Sequence, residues 1–343
     1  MEVHVINPLL DDRWNDLVSH HSRASAFHQR GWIDALARTY GFEPLVLTSA
    51  PDGQSLRNGV VLCRVKSWIT GNRLVSLPFS DHCDPLVDGQ DEWTIFEDWL
   101  QTECGRTRGY AELRPRMDDT RYAVRPSQSY WLHELDLGPE LSRLFDNLHK
   151  DSIQRKIRRA ERERLQCDTG RSARHLDEFY RLMLKTRRRH QLLPPPPSWI
   201  RALSECLGDK LEIRLAMKDN RAVAALLTLR HRNTVTYKYG CSDSKHHQLG
   251  GMPFLFWRLI EESKAAGAEK IDFGRSEPNQ HGLVAFKEKF GMAGRRLHYY
   301  CYGRVSGEAW WNPLNMTLMR RILPALPDAL LSTSGGWLYR HVG

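Results

Sequence analysis

Apolar and polar residues alternate along the chain with helical spacing in some segments and strand spacing in others. In the first half, apolar side chains on one face predict a helix over 27–40, ending at Gly41. Strands are predicted next, then a helix and a last strand, over 44–48, 58–67 and 73–79, over 93–104, and over 110–114. This order is typical of a mixed α and β domain.

The second half repeats the order about 165 residues later. Two helices are separated by the proline run 194–197, which forces a break between them. The predicted elements are helices over 175–189 and 198–207, strands over 211–217, 223–230 and 234–239, a helix over 253–267, and a strand over 271–273. This repeated order of helices and strands is by itself weak evidence for a duplication.

Between the halves, the segment 150–165 predicts a strongly basic helix. Its positive side chains are Arg155, Lys156, Arg158, Arg159, Arg162 and Arg164. One interpretation is a helix that faces the phosphates of RNA or of a nucleotide. The other is a solvated linker helix in which Glu161 and Glu163 form i,i+4 pairs. The excess of basic residues favours contact with an anion.

Composition narrows the class of protein. A chain of 343 residues with 41% apolar and 27% charged residues suits two soluble globular domains. It has no apolar run long enough to span a membrane and no signal peptide, so we expect a cytoplasmic protein. Seven scattered cysteines without a C-x-x-C pair argue against a disulfide framework and a zinc site. The net charge of +9 suits an anionic partner such as tRNA, a nucleotide-linked sugar or an acidic membrane surface.

The segment Lys270–Gly291 carries the densest candidate chemistry. Asp272 and Arg275 stand at a predicted strand end, where open α/β sheets place groups that contact ligands. A charged strand cap followed by a solvated helix explains the spacing equally well. The chain lacks the motifs of serine hydrolases, P-loop NTPases, zincins and Rossmann proteins.

Two motifs in this segment resemble a known family. Asp272–Ser276 reads D-F-G-R-S, and Gly282–Gly291 reads G-L-x-x-F-K-x-x-F-G. Both are similar to the second domain of the Fem-type (FemAB-like) peptidyl transferases of the GNAT superfamily, closest to the exosortase/PEP-CTERM-associated subgroup. The resemblance covers nearly the whole chain.

That resemblance implies an α+β fold with two tandem GNAT-like domains, each a mostly antiparallel twisted sheet flanked by helices. We expect a first domain over 1–149, a basic linker helix over 150–168 and a second, donor-side domain over 169–308. The segment 309–343 is expected to pack on the first domain, although its Arg, Leu and Trp residues could instead contact a membrane surface.

Residue roles follow from the same resemblance. In the family, the lysine after the phenylalanine at this place, here Lys287, is thought to meet the terminal tRNA phosphate and the tetrahedral intermediate; an ordinary surface lysine is the alternative. The candidate catalytic residues are Lys287 and Asp272. The candidate substrate-binding residues are Arg275, Ser276, Phe286, Lys238, Tyr239, Arg189 and Asp81. The candidate tRNA-binding or phosphate-binding residues are Arg155, Lys156, Arg158 and Arg159.

Three of these candidates, Lys238, Arg189 and Asp81, also have a structural interpretation. The neighbouring Cys83 has a chemical one. Lys238 could lie on the wet face of a strand, and Arg189, in a T-x-x-R pattern like that of the peptidoglycan-bridge enzymes, could belong to a solvated helix end. Asp81 ends an L-P-F-x-D motif that forms a structural turn near the acceptor groove in the family. Cys83 beside it invites a nucleophile interpretation, which we do not favour.

The chain departs from the family at two places. Bridge enzymes carry a phosphate-binding lysine where this chain has Leu36, which puts a muropeptide acceptor in doubt. CoA-dependent GNATs cradle the pyrophosphate in a glycine-rich loop at a helix start. Here 247–252 is a degenerate version of that loop, followed by Pro253, which has no N–H group. This departure argues against CoA as the acyl donor and leaves aminoacyl-tRNA or a carrier-protein thioester as candidates.

The sequence therefore predicts an acyltransferase with no metal and no tightly bound cofactor, whose acyl donor is a co-substrate. The preferred function is aminoacyl transfer from aminoacyl-tRNA to an amine of a small-molecule, cell-envelope or polysaccharide (glycan) precursor. One alternative is an acyltransferase that uses acyl-CoA or acyl carrier protein and acts on a sugar or an amine. The other is a non-catalytic binding module of exopolysaccharide assembly.

Overall fold

The computed structural model describes residues 2–116, 122–303 and 336–341. The strands in chain order are β1 (His4–Ile6), β2 (Glu43–Thr48), β3 (Val60–Ser67), β4 (Gly71–Val75), β5 (Tyr110–Leu113), β6 (Pro126–Asp136), β7 (Gln166–Gly170), β8 (Leu211–Lys218), β9 (Arg221–His231), β10 (Thr234–Ser242), β11 (Lys270–Ser276) and β12 (Gly294–Gly303). The helices are α1 (Arg13–His20), α2 (Arg30–Tyr40), α3 (Gln90–Thr107), α4 (Leu141–Asp146), α5 (Arg155–Arg162), α6 (Ala173–Arg189), α7 (Pro197–Leu207), α8 (Gly251–Ala265), α9 (His281–Glu288) and α10 (336–341).

These elements form two compact units. Among the described residues, unit 1 comprises 2–116, 122–130, 296–303 and 336–341, and unit 2 comprises 131–295. Each unit has a mostly antiparallel sheet with helices against it, so the predicted fold class is confirmed.

Unit 1 has the sheet order β1-β2-β3-β4-β5-β12, in which only the β4–β5 pair is parallel. Helix α2 lies against this sheet because its apolar side chains fall on one face, and Trp32, Leu36 and Tyr40 are buried. The helix ends at Gly41, whose φ of 71° is a left-handed conformation that glycine adopts without strain. The prediction for this helix end is confirmed.

Unit 2 repeats the plan with residues 131–136 of β6 followed by β11, β10, β9, β8 and β7. Again one pair, β10–β11, is parallel. Helices α5 and α8 pack on this sheet. Ile157 and Ala160 of α5 lie in the same buried cluster as Leu255 and Leu259 of α8. The basic helix is therefore part of the core of unit 2, with its charged side chains on the opposite face.

Several elements differ from the sequence-based expectation. Strands β1, β6, β7 and β12 had not been predicted, and β7 occupies residues 166–168 of the expected linker helix. Strand β4 ends at Val75 rather than at residue 79, because Leu77 and Phe79 have φ values of 59° and 61° that no strand can continue through.

Most of the predicted C-terminal segment, 309–335 and 342–343, lies outside the described residues. Its described part, α10, contacts the turn between β3 and β4. The Ser67 hydroxyl lies 3.0 Å from His341 Nδ1, and the Thr70 hydroxyl donates to the His341 carbonyl at 2.7 Å.

Candidate functional site

The neighbouring parallel strands β10 and β11 separate after three paired residues. Thr234, Val235 and Thr236 pair with the first three residues of β11. Beyond that point each strand has an irregularity against its other neighbour, at Tyr237–Tyr239 in β10 and at Asp272–Arg275 in β11. Separated strands expose backbone N–H and C=O groups to which an extended ligand can bind. The opening between the two strands is the candidate site.

The D-F-G-R-S motif builds a β-bulge at one side of this opening. We call residues 272–275 the β11 bulge; it places two residues, Phe273 and Gly274, opposite His133 of β6. Gly274 has a φ of 67°, and its N–H donates to Asp272 Oδ1 at 2.8 Å. Asp272 is buried and has a structural role in this turn; its predicted catalytic role stays a prediction.

Lys287 lies against the β11 bulge. It follows Phe286 on α9 and is only 2% exposed, so it is not an ordinary surface lysine. Its Nζ donates to the carbonyl oxygens of Gly274 and Arg275 at 2.8 and 3.2 Å. The structure therefore brings the two sequence motifs together through one buried positive charge.

Two further buried polar groups lie in the strands at the bulge. The Ser276 side chain is 1% exposed and the His133 side chain is 0% exposed. Neither the Ser276 hydroxyl nor either ring nitrogen of His133 has a hydrogen-bond partner within the described residues. Burial, followed by the charge of Lys287, lowers the pKa of His133 from 6.5 to about 4. His133 was missed from the sequence because no motif contains it.

A second cluster of positive groups lies near the start of α8. Arg189 donates to the Ser242 carbonyl at 3.2 Å and lies 3.2 Å from His247 Nε2. Burial lowers the pKa of His247, and the charges of Arg189 and Lys156 lower it further. The structure thus brings together Arg189 and Lys156, which the sequence had placed in separate groups.

Helix α5 packs directly on the start of α8. Gly250, with a φ of 77°, precedes α8, and a Cβ atom at this position would overlap the backbone carbonyl of Lys156. Pro253 in the first turn contributes no N–H group. The α8 start therefore offers fewer N–H donors to an anion than an ordinary helix N-terminus.

Replacing Gly250 by alanine is expected to lower the free energy of unfolding by about 2 kcal/mol, since it adds left-handed strain and a clash with α5. Gly267 also has a positive φ, 74°, but nothing lies within 4 Å of its added Cβ. Gly267→Ala is therefore the matched control, because it carries the strain without the clash. Equal losses in urea unfolding of the two variants would contradict close packing at Gly250.

The remaining predicted residues are distributed as follows. Lys238 Nζ lies 5.4 Å from the centre of the Tyr239 ring, and the Tyr239 hydroxyl accepts from Trp199 Nε1 at 3.0 Å. Phe286 packs on Phe290 in the core of unit 2. Asp81 belongs to unit 1, where its carbonyl accepts from the Tyr299 hydroxyl at 2.8 Å.

The basic side chains of α5 point away from the core. Arg155, Lys156, Arg158 and Arg159 are all exposed. Two of them make i,i+4 ion pairs, Arg155 with Asp151 at 3.9 Å and Arg159 with Glu163 at 3.6 Å. Exposed pairs of this kind are weak, so these arginines stay available to an anionic partner.

Cys83 in unit 1 is not placed as a nucleophile. It is buried, and burial raises its pKa well above the usual range. His28 Nε2 lies 3.4 Å from the Cys83 sulfur but only 2.9 Å from the Asp84 carbonyl, to which it can donate. A ring nitrogen that carries a proton for that carbonyl does not accept the thiol proton.

The described part of the chain has neither a metal-binding cluster nor a membrane-spanning helix. No group of three or more His, Cys, Asp or Glu side chains there is arranged to hold a metal ion. None of the helices in the described ranges is both long enough and apolar enough to cross a membrane.

Comparison with known proteins identifies a domain. Residues 148–288 match the family described as "Acetyltransferase (GNAT) domain". No curated protein matches the chain significantly.

Several solved structures share the fold. FemX is similar over 93% of this chain and 100% of its own, with a TM-score of 0.67 and 13% identity. The C-terminal domain of a lysylphosphatidylglycerol synthetase from Agrobacterium fabrum covers 91% of this chain and 96% of its own, with a TM-score of 0.58 and 15% identity. A tandem GNAT protein from the clavulanic acid biosynthesis pathway covers 88% and 98%, with a TM-score of 0.54 and 12% identity.

At 12 to 15% sequence identity the structural matches show only that the chain shares the tandem GNAT fold. The family match indicates the type of reaction, acyl transfer. Residues 148–288 therefore form a GNAT acetyltransferase domain, and the chain that carries this domain is an acyltransferase.

Proposed function

We propose that the protein transfers an aminoacyl group from aminoacyl-tRNA to an amine of a small-molecule, cell-envelope or polysaccharide precursor. The observation that carries this proposal is the exposed basic face of α5, packed on the start of α8 beside Arg189 and His247. This arrangement offers a long positive surface rather than a single phosphate pocket. A polyanion such as tRNA suits such a surface.

The start of α8 supports a donor other than CoA. In CoA-dependent GNATs the pyrophosphate binds the N–H groups at this helix start. Here Pro253 removes one donor and α5 packs against Gly250. Phosphate groups would instead meet the side chains of Lys156 and Arg189, which bind by charge and by guanidinium hydrogen bonds.

Acyl transfer at the β11 bulge requires no covalent intermediate on the enzyme. The acceptor amine attacks the donor carbonyl, a C–N bond forms, the C–O bond to the tRNA ribose breaks, and the amine proton ends on the leaving oxygen. Negative charge grows on the carbonyl oxygen during the attack. A fixed positive charge such as that of Lys287 stabilises this charge strongly in a medium of low dielectric constant.

The names of two structural neighbours are compatible with this choice. One is FemX, and another is a lysylphosphatidylglycerol synthetase, a name that joins an aminoacyl group to a lipid. The exosortase-associated subgroup, the cytoplasmic location and contact of the C-terminal segment with a membrane stay predictions from the sequence. Because the GNAT domain makes the protein an acyltransferase, the non-catalytic binding module is set aside.

One observation favours the alternative donors, acyl-CoA or acyl carrier protein. Both carry a pantetheine arm with amide groups, and the separated edges of β10 and β11 offer backbone groups to pair with such an arm. In that case the donor would bind between the strands, and removal of charge from α5 would affect acyl-CoA binding little.

Replacing Arg155, Arg158 and Arg159 of α5 together by glutamine is expected to weaken binding of aminoacyl-tRNA. The loss should be about tenfold or more at low salt, because each lost phosphate contact removes released counterions. The slope of log K against log salt should also decrease by roughly 2 to 3. Filter binding at several salt concentrations measures both quantities.

The matched control replaces three exposed arginines of unit 2 outside α5, Arg171, Arg201 and Arg221, by glutamine. This control changes net charge equally. An equal loss of affinity in the two triple variants would mean that α5 has no specific role in donor binding.

A further inference from the structure

Two large apolar side chains of unit 1 lie exposed next to each other. Trp68, in the turn between β3 and β4, is 80% exposed, and Trp337 of α10 is 54% exposed. Their ring centres are 6.1 Å apart, so the two indoles form one surface, which we call the tryptophan patch. Large aromatic rings that stay in contact with water next to each other mark a surface of interaction.

Helix α10 is fixed to unit 1 beneath the tryptophan patch. The buried ring of His341 contacts both indoles, with ring centres 5.8 Å from Trp68 and 5.1 Å from Trp337. Arg73 of β4 donates from Nη2 to the His341 carbonyl at 2.8 Å. Trp337 is therefore held beside Trp68 by contacts at the other end of its helix.

The turn that carries Trp68 is also fixed by hydrogen bonds. The Ser67 hydroxyl accepts the N–H groups of Ile69 and Thr70 at 3.1 and 3.0 Å. The same hydroxyl lies 3.0 Å from His341 Nδ1, to which it can donate its own proton. The turn and α10 thus form one base from which both indoles project.

The surroundings of the tryptophan patch are basic. The two segments that build it, 66–73 and 336–341, contain no Asp or Glu. Their basic residues are Lys66, Arg73 and Arg340. Lys66 and Arg340 are exposed, and the ion pair of Lys66 with Glu43 at 2.6 Å is an exposed pair of the weak kind. Exposed indoles flanked by positive charge suit the interface of an anionic bilayer, where indole enters the headgroup region and Lys or Arg meets the lipid charge.

The geometry of the two rings favours a bilayer over a sugar ligand. Their planes are inclined by 60°, so they do not form one flat face on which a sugar ring could stack. A bilayer interface is fluid and adapts to the shape of the rings that enter it.

We propose that unit 1 binds the surface of an anionic phospholipid bilayer through the tryptophan patch, with Lys66 and Arg340 beside the lipid headgroups. Packing of α10 on unit 1 and contact with a membrane are then compatible, because the same helix buries His341 and exposes Trp337. The proposal concerns a surface outside the candidate site and does not depend on the acyl donor or acceptor.

The test is flotation of the purified full-length protein with vesicles of phosphatidylcholine, alone or mixed with phosphatidylglycerol. We expect the wild type to bind the mixed vesicles more tightly. Replacing Trp68 and Trp337 together by serine should weaken that binding about tenfold or more, because two indoles no longer enter the interface. Replacing Lys66 and Arg340 together by glutamine should weaken it about fivefold or more, on the mixed vesicles only.

The matched control is Leu10→Ser, which removes an apolar side chain of unit 1 that is 83% exposed outside the patch. Its binding should stay within about twofold of wild type. The control is needed because the exposed arginines of α5 also attract anionic lipids. The proposal would be overturned by a wild type that binds no vesicles, by one that binds both kinds equally, or by a double tryptophan variant that binds as well as Leu10→Ser.

A second measurement identifies the indoles that enter the bilayer and uses variants that keep an aromatic ring. Brominated phosphatidylcholine quenches the fluorescence of a tryptophan that reaches the lipid. The chain has 11 tryptophans, so the quenching is compared between wild type, Trp68→Phe and Trp337→Phe. We expect each variant to float with the mixed vesicles and to lose part of the quenching. Quenching that neither substitution reduces would mean that other tryptophans enter the bilayer, and it would overturn the proposal.

Discussion

Replacing Lys287 by alanine is expected to lower kcat for acyl transfer by about ten- to a thousandfold, with a smaller change in KM. The physical reason is the loss of a buried positive charge beside the β11 bulge, where Nζ bonds the carbonyls of Gly274 and Arg275. Steady-state kinetics with labelled donor measures the effect. The variant should also lose about 1 to 3 kcal/mol of stability, because it leaves buried carbonyls without this donor.

The matched control is Lys289→Ala, two residues further along at the end of α9 and less buried. It removes the same charge from the chain without touching the bulge carbonyls. Activity should be compared at a temperature at which all proteins are folded. A Lys287→Ala enzyme as active as the Lys289→Ala enzyme would contradict a role for Lys287 in the reaction.

His133 is expected to destabilise the folded protein in acid. Its pKa is about 4 in the folded protein and 6.5 without burial, so the unfolded chain takes up the proton at higher pH. His133 therefore leaves the free energy of unfolding unchanged above about pH 6.5 and lowers it progressively as the pH decreases toward about 4. Below about pH 4 its destabilising effect is complete and does not grow further. The shift corresponds to about 3 kcal/mol.

Urea unfolding between pH 7 and pH 4 of wild type and His133→Asn measures this effect. The asparagine does not titrate, so the difference in free energy of unfolding between the two proteins isolates His133 from the other groups. We expect wild type to lose about 3 kcal/mol more than the variant over this range. Parallel pH profiles would show that His133 titrates normally.

Local patterns were sufficient to predict much of the fold. The burial of Trp32, Leu36 and Tyr40 follows from helical spacing, and the helix end follows from Gly41. Strands β7 and β12 were missed because their stability comes from pairing with distant strands, β8 and β5, and not from alternation in their own residues.

The candidate site shows the same division. The two motifs pointed to Lys287, but the number of possible partners for a lysine is large, and only the fold shows that its ammonium reaches Gly274 and Arg275. Asp272 looked like an acid at a strand end, whereas the structure uses it to hold the bulge. His133 belongs to no sequence motif, and only the structure shows that it lies opposite the β11 bulge.

The most direct test of the account is a comparison of donors. Binding of the purified protein to aminoacyl-tRNA, acyl-CoA and acyl carrier protein would be measured at two salt concentrations. The account predicts micromolar or tighter binding of aminoacyl-tRNA that weakens with salt, and little binding of CoA. Saturable binding of acyl-CoA together with no binding of tRNA would contradict it and would make the acyl-CoA reaction the correct assignment.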